Sequence, residues 1–161
     1  MAAISLATLA DAPAILNLQH LAYESEAQLY QDWSIPPLTQ TLEQLQAEFP
    51  SCTVLKASEG GVILGSVRAQ IKDGVVQIGR LFVAPDVQRQ GIGSALLRAI
   101  EAAFPAAQQF ELFTGSRSEG NIRLYARHGY SITQRKKLSP KVTLVFMAKS
   151  GAAAEPKDRR R

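Results

Sequence analysis

A single cysteine, Cys52, occurs among 161 residues, so no disulfide can close within the chain and no thiolate cluster can hold a metal. Cys52 opens an apolar stretch and reads as a packed thiol. Histidine is almost as scarce. His20 and His128 lack metal-ligand spacing and read as structural residues, so no metal is expected. No apolar run approaches the roughly 20 residues that cross a bilayer, and the opening stretch MAAISLATLADAPA has no basic segment ahead of an apolar one. These absences lead us to expect a cytoplasmic protein that does not engage membranes. Excess charge is missing too. Of the formal +4, a net +2 comes from Gly151–Arg161, where Lys157, Arg159, Arg160 and Arg161 outnumber Glu155 and Asp158. The remainder is close to neutral, and Arg135-Lys136-Lys137 is too short a run to be a nucleic-acid footprint. No internal repeat is visible. With 46% apolar and 20% charged residues the chain reads as one globular domain over residues 1–150, followed by a basic tail, 151–161, expected to be disordered.

What is present centres on VVQIGRLFVAPDVQRQGIGSALLRAIEAAF, residues 75–104. Val75–Val83 is rich in β-branched and apolar residues, Ala84-Pro85-Asp86 stops it, and Ser94–Phe104 repeats apolar residues at helical spacing. The spacing predicts a strand, a glycine loop (Gln88-Arg89-Gln90-Gly91-Ile92-Gly93) and a helix. Glycines let a ligand approach the backbone, while a helix start offers free N–H groups and the positive end of its dipole. That combination suits an anion such as a pyrophosphate. A P-loop would need Lys after its last glycine, and no lysine lies between Lys72 and Lys136. A dinucleotide fingerprint would need a small residue where Leu96 stands, and its first glycine should follow the strand at once, whereas Ala84–Gln90 intervene.

The pattern Gln88-x-x-Gly91-x-Gly93, entered from a strand and leaving into a helix, resembles the acetyl-CoA loop of the GCN5-related N-acetyltransferase (GNAT) family. Asn121-x-x-Leu124-Tyr125-x-x-x-Gly129-Tyr130 resembles that family's closing helix. The element order agrees. A strand at Ile4–Ala7 precedes a helix begun by Thr8 or Asp11, with Ile15, Leu16, Leu18 and Leu21 inward and an end near Glu26. A second helix spans Thr39–Phe49. Strands at Cys52–Ala57, Val62–Ile71 and Val75–Val83 form a meander, and the helix Ser94–Phe104 leads to a strand at Gln109–Thr114. A helix capped by Ser116 or Ser118 runs to Gly129, and strands Tyr130–Lys137 and Thr143–Ala148 close the chain. Ala27–Leu38 is a long connection, and such connections are often functional. The resemblance covers residues 3–149. It implies an α/β (α+β) fold with a mixed, mostly antiparallel sheet of six to seven strands, splayed at the cofactor site, and about four helices.

The resemblance also implies function: transfer of an acetyl group from acetyl-CoA to a primary amine of a small molecule or peptide, by direct attack within a ternary complex. Phe82, Val83, Gln88, Arg89, Gln90, Gly91, Ile92, Gly93, Ser94, Asn121 and Tyr125 would hold the cofactor, with a backbone N–H near Val83 serving the thioester carbonyl. Tyr125 would protonate the leaving sulfur, and a phenol of reference pKa near 10 suits that task. Gln77 stands where many relatives carry a glutamate base. An amide cannot accept the proton, so the amine arrives neutral, loses its proton through water, or gives it to Glu24, Glu26 or Glu111. The substitution also raises an alternative, a non-catalytic acyl-CoA-binding sensor or regulatory module. In the segment that roofs the acceptor site in the family, Tyr23, Glu24, Glu26, Tyr30, Asp32 and Trp33 would suit a cationic amine, with Gln77 and Thr114 alongside. Arg80 could instead meet a substrate carboxylate. The sequence leaves a homodimer open.

Overall fold

In the computed structural model, which describes residues 2–154, the chain builds one seven-stranded sheet of order β1-β2-β3-β4-β5-β7-β6. The strands are β1 (Ala3–Leu6), β2 (Thr53–Glu59), β3 (Val62–Lys72), β4 (Val75–Val83), β5 (Gln109–Gly115), β6 (Ser131–Ser139) and β7 (Val142–Ser150). Hairpin turns at Gly60-Gly61 and Asp73-Gly74, all four at positive φ, keep β2, β3 and β4 antiparallel. Between β4 and β5 lies helix α5 (Ile92–Ala102), and a strand that returns through a crossover helix must pair in parallel, as this one does. The sheet is mixed, as the motifs imply. β4 matches its expected bounds, whereas α5 begins at Ile92 rather than Ser94 because Gly91, left-handed at φ 81°, already serves as its N-cap.

α5 lays Ile92, Leu96, Leu97 and Ile100 on one sheet face against Leu55, Val67, Val76, Ile78, Phe110 and Val145. Each such side chain contributes about 1.5–3 kcal/mol on burial. Truncating the fully buried Leu97 to alanine would cost about 2–5 kcal/mol. Helix α6 (Glu119–Arg127) packs on this face through Ile122, Leu124 and Tyr125.

The opposite face carries α1 (Ala12–Ala22), α2 (Glu24–Tyr30), α3 (Pro36–Thr39) and α4 (Leu42–Glu48). The periodicity placed Leu21 inward. Instead Leu21 is 51% exposed, and Gln19, with Ile15, Leu16 and Ala22, is buried. The reason is a buried cation. Arg68 on β3 donates from Nε to Glu48 (2.8 Å), from Nη1 to Gln19 (3.0 Å) and from Nη2 to Gln40 (2.7 Å), and Gln19 also donates to the Pro37 carbonyl (2.8 Å). One guanidinium thus ties α1, the 37–40 segment and α4 to the sheet, since a buried charge must be paired. The long connection expected over Ala27–Leu38 is largely helical, with α2 reaching Tyr30 and Pro36 starting α3, where a proline's missing N–H costs nothing. Residues 151–154 run on past the expected domain end, with amides of Gly151 and Ala153 bonded to the carbonyls of Gln108 and Ala107. The rest of the tail, 155–161, lies outside the described residues. No helix among the described residues is long and apolar enough to cross a membrane.

Candidate active site

β4 and β5 pair only at Val75–Gln109, Val76–Phe110 and Gln77–Glu111; beyond Gln77 the strands part. A bulge turns the free end of β4. Ser66 faces Phe82 and Arg68 faces Gly79, so Val67 stands opposite both Arg80 and Leu81, and Arg80 takes φ 50°. The bulge reverses the alternation. Before it, Val76 and Ile78 point to the α5 face; after it, Leu81 and Val83 do, while Phe82 joins the α1 side. Ala84 donates its amide to the Leu64 carbonyl on the β3 side (2.7 Å). Since successive backbone groups alternate along a strand, the Val83 N–H points the other way, into the gap.

The gap opens into a cavity of about 310 Å³ that passes from one sheet face to the other. Tyr23, between α1 and α2, walls it together with Glu26 and Tyr30 of α2, Ile78–Leu81 and Leu112–Gly115 of the parted strands, and Asn121 and Tyr125 of α6. Pro36, Pro37, Leu138, Val142 and Leu144 supply apolar surface. Its polar side chains are held in place. Glu26 accepts from Ser118 Oγ (2.7 Å) and Asn121 Nδ2 (3.4 Å), Asn121 also donates to Thr114 Oγ1 (3.2 Å), and the Tyr30 hydroxyl shares a 2.7 Å bond with Ser118. The Arg117 amide donates to Tyr30 as well (3.0 Å). Tyr30 lies so close over Gly115 that a Cβ there would sit 1.9 Å from its oxygen, so only glycine fits beneath it. Ser118 precedes α6, but its hydroxyl serves this network and makes no helix cap.

Tyr125 is buried, 6% exposed, with its ring edge-on to Tyr130. Burial first, then the Tyr23 phenol and the Glu26 carboxylate, push its hydroxyl well above the ordinary phenol range. Tyr23, whose hydroxyl reaches the Leu81 carbonyl at 3.5 Å, is pushed by burial up to about 12. Both phenols therefore keep their protons at any working pH.

The glycine loop lies at the far end of β4. Arg89 (φ 67°) and Gly91 (φ 81°) are both left-handed, a backbone that turns successive N–H groups to one side. The first α5 amide with a helical acceptor is Ala95, bonded to Gly91 O, so those of Ile92, Gly93 and Ser94 are free of the helix ladder. A Cβ on Gly91 would meet nothing within 4 Å, and one on Gly93 would stand at ordinary contact distance, 3.6 Å from Leu124 Cδ2 and 3.8 Å from Val83 Cγ2. Gln88, Arg89, Gln90 and Gly91 are exposed. The Ser94 hydroxyl bonds the His128 ring at 3.1 Å. This open run of amides at a helix start fits a pyrophosphate.

The structure thus brings Tyr125, Asn121, Tyr30, Arg80 and Thr114 to one cavity. Glu24 is exposed on α2, Trp33 is 59% exposed, and neither lines the cavity. Gln77 is exposed and donates to Glu111 (2.7 Å), where the strands still pair. Of the three carboxylates weighed as bases, the cavity holds Glu26 alone. The sequence had a signal for it. Tyr23, Glu26, Ala27 and Tyr30 follow the i, i+3, i+4, i+7 spacing of one helix face, which Glu24 does not share.

The acetyltransferase (GNAT) family profile matches residues 13–130. No curated protein sequence matches the chain. Among solved structures, the ribosomal-protein-S18-alanine N-acetyltransferase of Escherichia coli is similar at TM-score 0.79 and 16% identity, covering 100% of this chain and 99% of its own. The putative acetyltransferase yncA of Salmonella typhimurium, solved with its cofactor acetyl-CoA, gives 0.75 at 22% identity and 99% of both chains. A phosphinothricin acetyltransferase of Sinorhizobium meliloti in complex with acetyl-CoA gives 0.75 at 18% identity, with 98% and 94% covered. At these identities the likeness is one of fold.

Proposed function

Because the chain belongs to the acetyltransferase (GNAT) family, we propose that it acetylates a primary amine of a small molecule or peptide from acetyl-CoA, with both substrates bound together. Acetyl-CoA supplies the activated acetyl thioester. The amides of Ile92, Gly93 and Ser94 with the Arg89 side chain hold the pyrophosphate, Asn121 and Gly93 border the path of the pantetheine arm, and the Val83 N–H polarises the carbonyl oxygen. Tyr125 gives its proton to the departing sulfur as the C–S bond breaks and the N–C bond forms, and regains it from solvent. Glu26 takes the proton lost by the attacking amine. Water connects them where the carboxylate is occupied by Ser118 and Asn121.

The observation that carries this reading is the phenol of Tyr125 lining the gap where β4 and β5 part and the amide of Val83 lacks a strand partner. The test is thiol release from acetyl-CoA across a panel of polyamines, amino acids, aminoglycosides and N-terminal peptides, with the acetylated product identified by mass. Acceptor-dependent thiol release that falls in Tyr125→Phe is the expected result. Thermal protection by acetyl-CoA without transfer to any acceptor would favour an acyl-CoA-binding module and overturn the catalytic reading.

A further inference from the structure

Two arginines approach each other across the β3–β4 ladder, Arg68 opposite Gly79 and Arg80 beside it, and their surroundings differ in kind. Arg68, 3% exposed, spends its Nε and both terminal nitrogens on Glu48, Gln19 and Gln40. Arg80 is half-buried, but its Nε is shut off from solvent and has no acceptor among the described residues. No described carboxylate forms an ion pair with Arg80, and Glu26, which shares its cavity, already accepts from Ser118 and Asn121. A shielded guanidinium nitrogen without a partner is costly, the more so beside a second cation. Arg80 also sits at φ 50°, a backbone that a side-chain-bearing residue adopts only where its surroundings force it, and such strain gathers at functional sites. The bulge imposes this backbone, and Arg80 lines the cavity.

From this geometry we infer that the acceptor carries a carboxylate, bound by Arg80, and is a free amino acid with an apolar side chain rather than a plain amine or a peptide; the inference rests on the acetyl-transfer reading above. The missing anion has to arrive with the acceptor, because no residue of the 84–95 segment, which would hold the phosphates, lines the cavity. Arg80 and Glu26 give the cavity one cationic and one anionic group, matching the carboxylate and the amine of an amino acid. Pro36, Pro37, Leu138, Val142 and Leu144 offer an apolar wall to its side chain. A guanidinium fork left unpaired by an acceptor without a carboxylate penalises that acceptor, which makes the group a determinant of specificity.

The experiment compares matched series with the full chain: leucine and phenylalanine, their amides, their decarboxylated amines and a dipeptide of each, by kcat/KM in acetyl-CoA-dependent thiol release. Wild type should favour the free amino acids by about a hundredfold or more, and Arg80→Gln should shrink that preference to less than about tenfold through loss on the carboxylate arm. Arg80→Gly should raise the melting temperature of the unliganded protein, since it removes both the unpaired cation and the strained φ, and should keep its stabilisation by CoA. An arginine with a purely structural role would give a lower melting temperature instead. Equal turnover of amides, amines and amino acids by wild type overturns the carboxylate while leaving acetyl transfer standing. Calorimetric titration of leucine and phenylalanine onto the CoA-saturated protein separates the two readings. Binding that disappears in Arg80→Gln supports the carboxylate site even where no transfer occurs, and binding unaltered in that variant refutes it.

Discussion

Replacing Gly93 with alanine tests the proposed cofactor cradle separately from the fold. The methyl group would lie 3.6 Å from Leu124 Cδ2 and 3.8 Å from Val83 Cγ2, ordinary contact distances, so the unliganded protein has room for it. Gly93 is not among the residues at positive φ, and alanine is the better helix former, so apo stability should hold or rise slightly. In the proposed complex the same methyl stands against the pantetheine arm that Gly93 borders. At CoA a hundredfold above Kd, wild type should gain about 2.7 kcal/mol, or roughly 5–11 °C at about 2–4 °C per kcal/mol for a domain of this size. A tenfold loss of affinity halves the gain to about 1.4 kcal/mol, and a hundredfold loss leaves about 0.4 kcal/mol. Thermal unfolding followed with and without CoA reads this directly. Gly74→Ala is the control. Its φ of 80° makes alanine strained in the β3–β4 turn, at the opposite end of β4 from the loop, so melting should fall while the CoA-induced shift stays whole. A full CoA shift in Gly93→Ala would remove Gly93 from the proposed path of the cofactor.

Gly115→Ala should drive Tyr30 off the β5 backbone, break its bonds to Ser118 and Arg117, and lower both stability and turnover; a melting temperature equal to wild type would show that Tyr30 is not held as described. Glu48→Ala removes the carboxylate partner of the buried Arg68 and should cost up to about 3 kcal/mol in denaturant unfolding, the low end for such pairs because Glu48 itself is partly exposed. Alkaline titration should unfold the protein early. Burial holds the phenols of Tyr125 and Tyr130 above their unfolded value near 10, the second with help from its bond to Glu101. The unfolded chain therefore loses these protons first, so stability is whole below pH 10 and falls above it, by about 3 kcal/mol for the pair at pH 11. A stability curve flat to pH 11 would contradict their burial.

How far the sequence carried the account depends on which interaction decides each element. β4 and its glycine loop were legible because strand composition, a Pro-containing stop and two glycines act locally, and the order of strands followed. Leu21 and Gln19 exchanged their expected sides because Arg68, distant in sequence, needs acceptors on α1, a demand that no helical period encodes. The segment 27–38 was harder to place for a related reason: Pro36 starts a short helix there, and Tyr30 is fixed by Gly115 and Ser118, whose approach is tertiary. Arg80 and Thr114 could be named from the resemblance. The bulge that puts Arg80 at φ 50° leaves only a faint sign, a glycine at position 79 within an otherwise continuous strand pattern.

The central claim is that Tyr125 delivers the proton that lets the sulfur leave. Tyr125→Phe removes one hydroxyl and retains the ring that packs on Tyr130, so folding and CoA affinity should change little. Turnover under conditions where chemistry limits should fall between about tenfold and the 10²–10⁴ range of general acid catalysis. Measured over a series of acyl thioesters, the deficit should shrink as the leaving thiol becomes more acidic, since a better leaving thiolate needs less help. Wild-type turnover in Tyr125→Phe, or a deficit that does not depend on the thiol, would contradict the assignment and leave Tyr125 as part of the cavity wall.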